Sequence, residues 1–266
     1  MKTYSIINLK GGVGKTISAI NLAYNLTAGG KSVLLIDCDK QGNASKFFGL
    51  YGYKGYSLTD VLTQKAFATE SAITPNVLPG LDVMPANMSL LRANREILMD
   101  MARPQQTRFS RALETMDVYT YDYCIIDCAP DINMATINAL VASDAVLVPV
   151  LLDKFALDGL GELIDQVEDL RDNFNPRLHI AGCFVTNMRR DGATAGGMEW
   201  LREHSPIHVF QTAIRSTVRV VETTYAGKPL GMYAPKSTAA KDYEALTREI
   251  FGNVSVSDTK QEAYHG

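Results

Sequence analysis

Positive charge is not in excess in this sequence. Lys and Arg number 26 against 29 Asp and Glu, giving a formal charge of -3, so a chain coated in positive charge is excluded and any nucleic-acid contact must come from a local patch. Long apolar runs are also missing. No stretch reaches the roughly 20 residues that a membrane-crossing helix needs, and Met1 to Asn8 lack a basic segment followed by an apolar one, so neither a leader nor a membrane partner is expected. The expected location is the cytoplasm. Cysteines are few, namely Cys38, Cys124, Cys128 and Cys183, with no CxxC pair and no histidine pattern beside them. That rules against a zinc site or a disulfide framework, and all four are expected to be reduced core thiols.

What is present suffices for one sizeable core, since 46% of 266 residues are hydrophobic. Short apolar runs at Tyr4 to Asn8, Val33 to Ile36, Tyr123 to Ile126, Ala145 to Val150 and Ile180 to Val185 do not alternate with polar residues, as befits strands buried on both faces. Helical patterns lie between them at Thr16 to Ala28, Met88 to Met101, Thr107 to Met116, Ile132 to Ala142, Leu157 to Asn173 and Ala239 to Phe251. The alternation predicts an α/β fold, a mostly parallel doubly wound sheet with helices on both faces. Gly49 to Pro79, rich in Tyr, Gly and Thr, reads as an excursion off that sheet. Residues 1–251 are expected to form a single domain, and 252–266, polar and without an apolar stripe, a flexible tail.

Gly11-Gly12-Val13-Gly14-Lys15-Thr16 follows a predicted strand and opens a predicted helix. In that context glycines let backbone N–H groups wrap phosphates, a lysine reaches the β and γ oxygens, and a hydroxyl ligates magnesium. The expected nucleotide-binding set is Lys10, Gly11, Gly12, Val13, Gly14, Lys15, Thr16 and Ile17, with ATP and Mg2+ as ligands. The general P-loop pattern has a glycine where this chain has Lys10, and a second ammonium there serves phosphate charge, within the chain or across a dimer interface. Two carboxylate motifs sit at predicted strand ends, where ligands bind in such sheets: Asp37-Cys38-Asp39-Lys40-Gln41-Gly42-Asn43, and Asp127 closing the run Ile125-Ile126. Thr16, Asp37 and Asp127 are the candidate magnesium residues, the two aspartates through water, because magnesium keeps most of its water shell. Lys10, Lys15 and Asp39 are the candidate catalytic residues, Asp39 orienting the attacking water.

At these residues the sequence resembles the deviant Walker A (ParA/MinD) P-loop family, and within it the ParA/Soj partition ATPases. Lys10 to Thr16 is similar to the deviant Walker A motif and Asp37 to Asn43 to the DxDxQGN motif. Phe155 to Leu160, Val218-Arg219 with Glu222, and Gly227-Lys228-Pro229 resemble further stretches of that branch. The resemblance implies that Lys10 reaches the partner's phosphates in an ATP-bound homodimer, that Asp39 is needed for hydrolysis and that Asn187 contacts adenine. A plain turn residue is the other reading of Asn187. It also implies sequence-independent DNA binding, nucleoid association in the ATP state and a ParB-like or cargo-adaptor partner. Arg189, Arg190, Arg215, Arg219, Lys236 and Lys241 are the candidate DNA residues, Arg219 foremost. Ile17, Lys40, Ala129, Asp131 and Arg215-Ser216 depart from the family's usual residues.

Other jobs can be hung on the same loop. A MinD-like membrane-cycling ATPase needs a terminal amphipathic anchor, which residues after Phe251 do not supply. An iron-sulfur reductase needs a cluster cysteine later than Cys128, and a tyrosine-kinase relative needs more tail tyrosines than Tyr264. A cargo adaptor or regulator switched by ATP without DNA remains the principal alternative.

Overall fold

The computed structural model describes residues 1–116, 120–153, 156–189 and 191–252. Three sequence expectations fall outside these: Arg190, Phe155 and nearly all of the tail. In chain order the elements are β1 (Lys2–Ile6), α1 (Lys15–Ala28), β2 (Val33–Cys38), α2 (Asn43–Phe47), α3 (Leu58–Thr63), β3 (Thr74–Leu78), β4 (Leu81–Met84), α4 (Leu90–Met99), α5 (Arg108–Glu114), β5 (Tyr123–Cys128), α6 (Met134–Val141), β6 (Ala145–Leu151), α7 (Leu160–Asn173), β7 (His179–Thr186), α8 (Gly192–His204), α9 (Val218–Ala226), α10 (Leu230–Tyr233) and α11 (Thr238–Phe251).

The strands form one seven-stranded sheet in the order β3-β4-β2-β5-β1-β6-β7. All neighbours run parallel except β3, which is antiparallel to β4 at the edge. Unalternated apolar runs became strands covered on both faces, β2 being buried at every position. One face carries Leu34, Ile36, Cys124 and Ile126 under α3 to α7. The other carries Leu35, Ile125 and Leu147 under α1, α2, α10 and α11. All four cysteines are free and buried, and burial pushes the Cys183 thiol up to about 11 and the Cys128 thiol to about 12.

The segment Gly49 to Pro79 is not wholly off the sheet, because its end, β3, is the edge strand. Pro75 and Pro79 hide it in the sequence, and an edge is where a sheet tolerates a residue that cannot donate to the ladder. Gly192, Gly196 and Gly197 likewise mask α8, whose N-cap Asp191 accepts the Thr194 amide at its side chain.

What positions the site is the crossover at the centre. From β1 the chain passes over β5 to build β2, while β6 and β7 lie on β1's other side. The loop after β1 therefore opens into the crevice that such reversals leave at the strands' carboxyl ends.

Candidate nucleotide and magnesium site

The loop between β1 and α1 is tied down before any ligand arrives. Asn8 donates its amide to Pro149 O at 2.8 Å and accepts the Lys10 N–H at 2.8 Å. Gly12 and Gly14 hold φ of 75° and 84°, left-handed values that glycine adopts without a Cβ penalty, and Gly14 is the N-cap of α1. From β7, Thr186 Oγ1 donates to Val13 O at 2.8 Å and fixes the loop's far side. Lys15 folds back into this ring. Its Nζ donates to Asn8 O and Lys10 O, both at 2.9 Å. Burial lowers its pKa, and Asp127 and Asp39 act against that.

The two carboxylate motifs meet because β2 and β5 are neighbours in register: Asp37 pairs with Asp127 and Cys38 with Cys128. Asp37 is fully buried. Its Oδ2 accepts both the Ser45 amide at 2.8 Å and the Ser45 hydroxyl at 2.7 Å, and its Oδ1 accepts the Asp39 amide at 3.1 Å. Burial outweighs these bonds and raises its pKa to about 6. Asp127 is buried with neither oxygen in hydrogen-bond geometry with any described residue. Burial first, then the charge of Asp37, push its carboxyl far above the usual range, while the facing Thr16 hydroxyl draws it down.

A buried carboxylate without partners is rare and costly. Asp127, which is such a group, together with the buried Asp37 and a threonine hydroxyl forms an oxygen donor set of the hard kind that Mg2+ takes, so the residues present fit that ion. Asp39 is held at the rim. Its Oδ1 accepts the Gln41 amide at 2.9 Å, and its carbonyl accepts the Gly42 amide at 2.8 Å. Lys40, on the same turn, forms an ion pair at 3.3 Å with Asp131 after β5.

Comparison with known proteins decides the family. An AAA domain family model matches residues 1–180. The chromosome partitioning protein ParA of Caulobacter vibrioides is 39% identical over 253 residues, covering 94% of each chain. The sporulation initiation inhibitor protein Soj of Bacillus subtilis is 37% identical over 256 residues, covering 95% of this chain and 99% of its own. The chain belongs to the ParA/Soj family of P-loop ATPases. A crystal structure of cobyrinic acid a,c-diamide synthase from Mycobacterium smegmatis, with bound ATP analog and magnesium, superposes with a TM-score of 0.80 at 26% identity, covering 93% of each chain.

Within this ParA/Soj chain the remaining expected residues fall into three places. Gly12, Val13, Gly14 and Ile17 line a cavity of about 480 Å³ together with Asn187 and Arg215. Asn187 has φ of 53°, a turn conformation that asparagine tolerates, so the turn and the pocket readings describe one residue. Arg215 does not present a free cation. Its guanidinium grips the buried Asp242 with bonds of 2.6 to 3.1 Å, and its amide donates to the same carboxylate at 2.9 Å. Arg219 and Lys236 share a shallow concavity of about 650 Å³ with Tyr233, Arg219 being paired to Glu222 at 2.7 Å. Arg189 and Lys241 are exposed elsewhere.

Lys10 is the residue whose surroundings the sequence did not give. Its ammonium bonds to Asp153 beyond β6 in the same chain. The signal was available, since Asp153 also follows the carboxyl end of a central strand, as Asp37 and Asp127 end theirs. Ser45, Thr186 and Asp242 carried no such signal, because each acts only through a contact made across the fold.

Proposed function

We propose that this chain is an ATP-driven dimerising switch that binds duplex DNA without sequence preference and partitions or positions a plasmid, chromosome or other cargo. A ParB-like or cargo-adaptor protein stimulates its hydrolysis. One observation carries the reading: of the two lysines on the phosphate loop, Lys15 bends into its own chain's cradle while Lys10 points out of it to Asp153. A cation on the rim, held by a half-exposed ion pair, is free to exchange that partner for a phosphate brought up by a second copy. The relatives' names, which speak of chromosome partitioning, support the cargo class.

ATP lies with its phosphates over Gly11 to Thr16 and its base in the cavity beside Asn187. Lys15 gives up the carbonyls of Asn8 and Lys10 for the β and γ oxygens. Thr16, Asp37 and Asp127 would hold Mg2+, the aspartates through water, and the ion would supply positive charge against the phosphates. Asp39, fixed through Oδ1, uses its other oxygen to orient the attacking water. ATP controls the switch to the degree that the dimer binds it better than the monomer does.

The test is binding to nonspecific duplex DNA with ATP, ADP and no nucleotide, at low and moderate salt. Binding selective for ATP and weakened by salt supports the reading. Dimerisation with ATP but no DNA binding in any state supports the second reading, an ATP-switched cargo adaptor. The in-chain pairing of Arg215 and Arg219 with acidic residues favours that alternative.

A further inference from the structure

On the face of the sheet opposite α1, the loop after α3 and the helix α5 enclose a cavity of about 240 Å³. Four cations line it, Lys65, Arg103, Arg108 and Arg111, and among the described residues no carboxylate does. Its remaining walls include Phe67 and Pro104.

Arg108 is the most deeply buried of the four cations. The side chain is only 7% exposed. Nε donates to Pro104 O at 3.1 Å and Nη1 to Leu62 O at 3.2 Å, while Nη2 has no hydrogen-bond partner among the described residues. Among the described residues, the acidic group paired with Arg108 is Asp100. Its Oδ2 lies 3.1 Å from Arg108 Nη2, but out of hydrogen-bond alignment and already engaged by Arg103 Nε at 2.6 Å. One carboxylate thus serves two guanidiniums, and the two repel: Arg103 adds to burial in lowering the pKa of Arg108. Lys65 and Arg111 are exposed at the rim and form no ion pair among the described residues.

A buried guanidinium that must share its carboxylate with a second cation is costly to keep. A small anion between Lys65 and Arg111 would offset the repulsion around it. The volume decides the size of ligand, since it falls below the usual range for drug-sized molecules. We propose that this cavity is a second ligand site, separate from the nucleotide loop, which takes a compact multivalent oxyanion, phosphate or dicarboxylate, through Lys65 and Arg111 in the field of Arg103 and Arg108.

The experiment is a titration of the 15N-labelled full chain with inorganic phosphate, followed by amide NMR. The P-loop is filled beforehand with Mg·ADP and ionic strength is held constant with sodium chloride. Succinate is titrated in a parallel arm. Saturable shifts are expected at residues 62–67 and 103–111. The double variant Lys65→Ala with Arg111→Ala, both on exposed side chains that leave the fold intact, is expected to weaken binding about tenfold or more. Shifts with phosphate alone, or with both anions, name the ligand's chemistry. No shift at these residues, a shift reproduced by chloride, or one unchanged in the double variant overturns the proposal.

Discussion

Lys10 and Asp153 are ion-paired within one chain, across the mouth of the phosphate loop. If Lys10 serves the partner's phosphates, this pair must open each time the dimer forms. Both side chains are about a third or more exposed, so the pair is worth ~1 kcal/mol at most, or about a fivefold factor per subunit. Asp153→Asn is therefore expected to tighten ATP-dependent dimerisation several-fold in sedimentation equilibrium, and Lys10→Ala to abolish it. Weaker dimerisation of Asp153→Asn would sink the idea that Asp153 holds Lys10 in reserve.

Lys15→Ala is expected to cost nucleotide affinity heavily. Charge-assisted hydrogen bonds contribute roughly 1.5–3 kcal/mol each, so a fluorescent ATP analogue should bind the variant at least ten times more weakly. The fold should survive, because the two carbonyls that Lys15 caps lie in a loop that Asn8 and Thr186 still anchor.

The paired carboxylates give the metal-free protein an unusual pH response. Asp37 has its pKa raised to about 6 by burial, and burial and the charge of Asp37 raise that of Asp127 as well. A folded state that holds protons more tightly than the unfolded one is favoured at low pH. The contribution is whole below the unfolded value, about 4, and is lost as pH rises through about 6 and above. Urea midpoints in chelator should thus fall between pH 5 and 7, and Mg·ADP should reverse the fall. Asp37→Asn should flatten the profile; an unchanged slope in that variant would assign the effect elsewhere.

Ser45 binds Asp37 through both its amide and its hydroxyl, and that hydroxyl also accepts the Ala86 amide at 2.9 Å. Ser45→Ala leaves Asp37 one donor short and the buried Ala86 amide unsatisfied, a cost of ~1–3 kcal/mol. The apparent Mg2+ affinity in ATPase assays should drop while ATP binding without metal stays unchanged. Recovery in Ser45→Thr would separate the hydroxyl's role from packing.

Two arginines that look alike in the sequence should behave differently. Arg219→Ala is expected to weaken duplex DNA binding uniformly across sequences and to reduce the salt slope by about 1. Arg215→Ala strips a buried aspartate of its partner and should lower the thermal midpoint while leaving the salt slope as it was. Equal slopes for both variants would remove Arg219 from the DNA surface.

The central strands and their order of chemistry were legible because burial on both faces leaves an unbroken apolar run, as at Val33 to Ile36, and because the glycine-lysine loop needs fixed spacing. The register of β2 and β5 brings Asp37 and Asp127 together, and that both lie at strand ends was legible from position. Edge strand β3 was not, since Pro75 and Pro79 break the pattern. Nor could charge counting show that Arg215 is spent on Asp242, 27 residues away. A motif records what a segment does locally; what a side chain meets across the fold is written nowhere near it.

The alignment of β2 with β5 couples chemistry to correct assembly. Sheet side chains alternate, so slipping one strand past its neighbour by a single residue turns its whole set to the opposite face. Opposite Asp37 would then stand Ile126 or Cys128, and the two aspartates would look in different directions. A molecule with this one slip would still be largely apolar inside, yet inert. If Asp37 and Asp127 hold the ion as proposed, only chains whose ladders closed at the right rung would acquire it and the stability it brings.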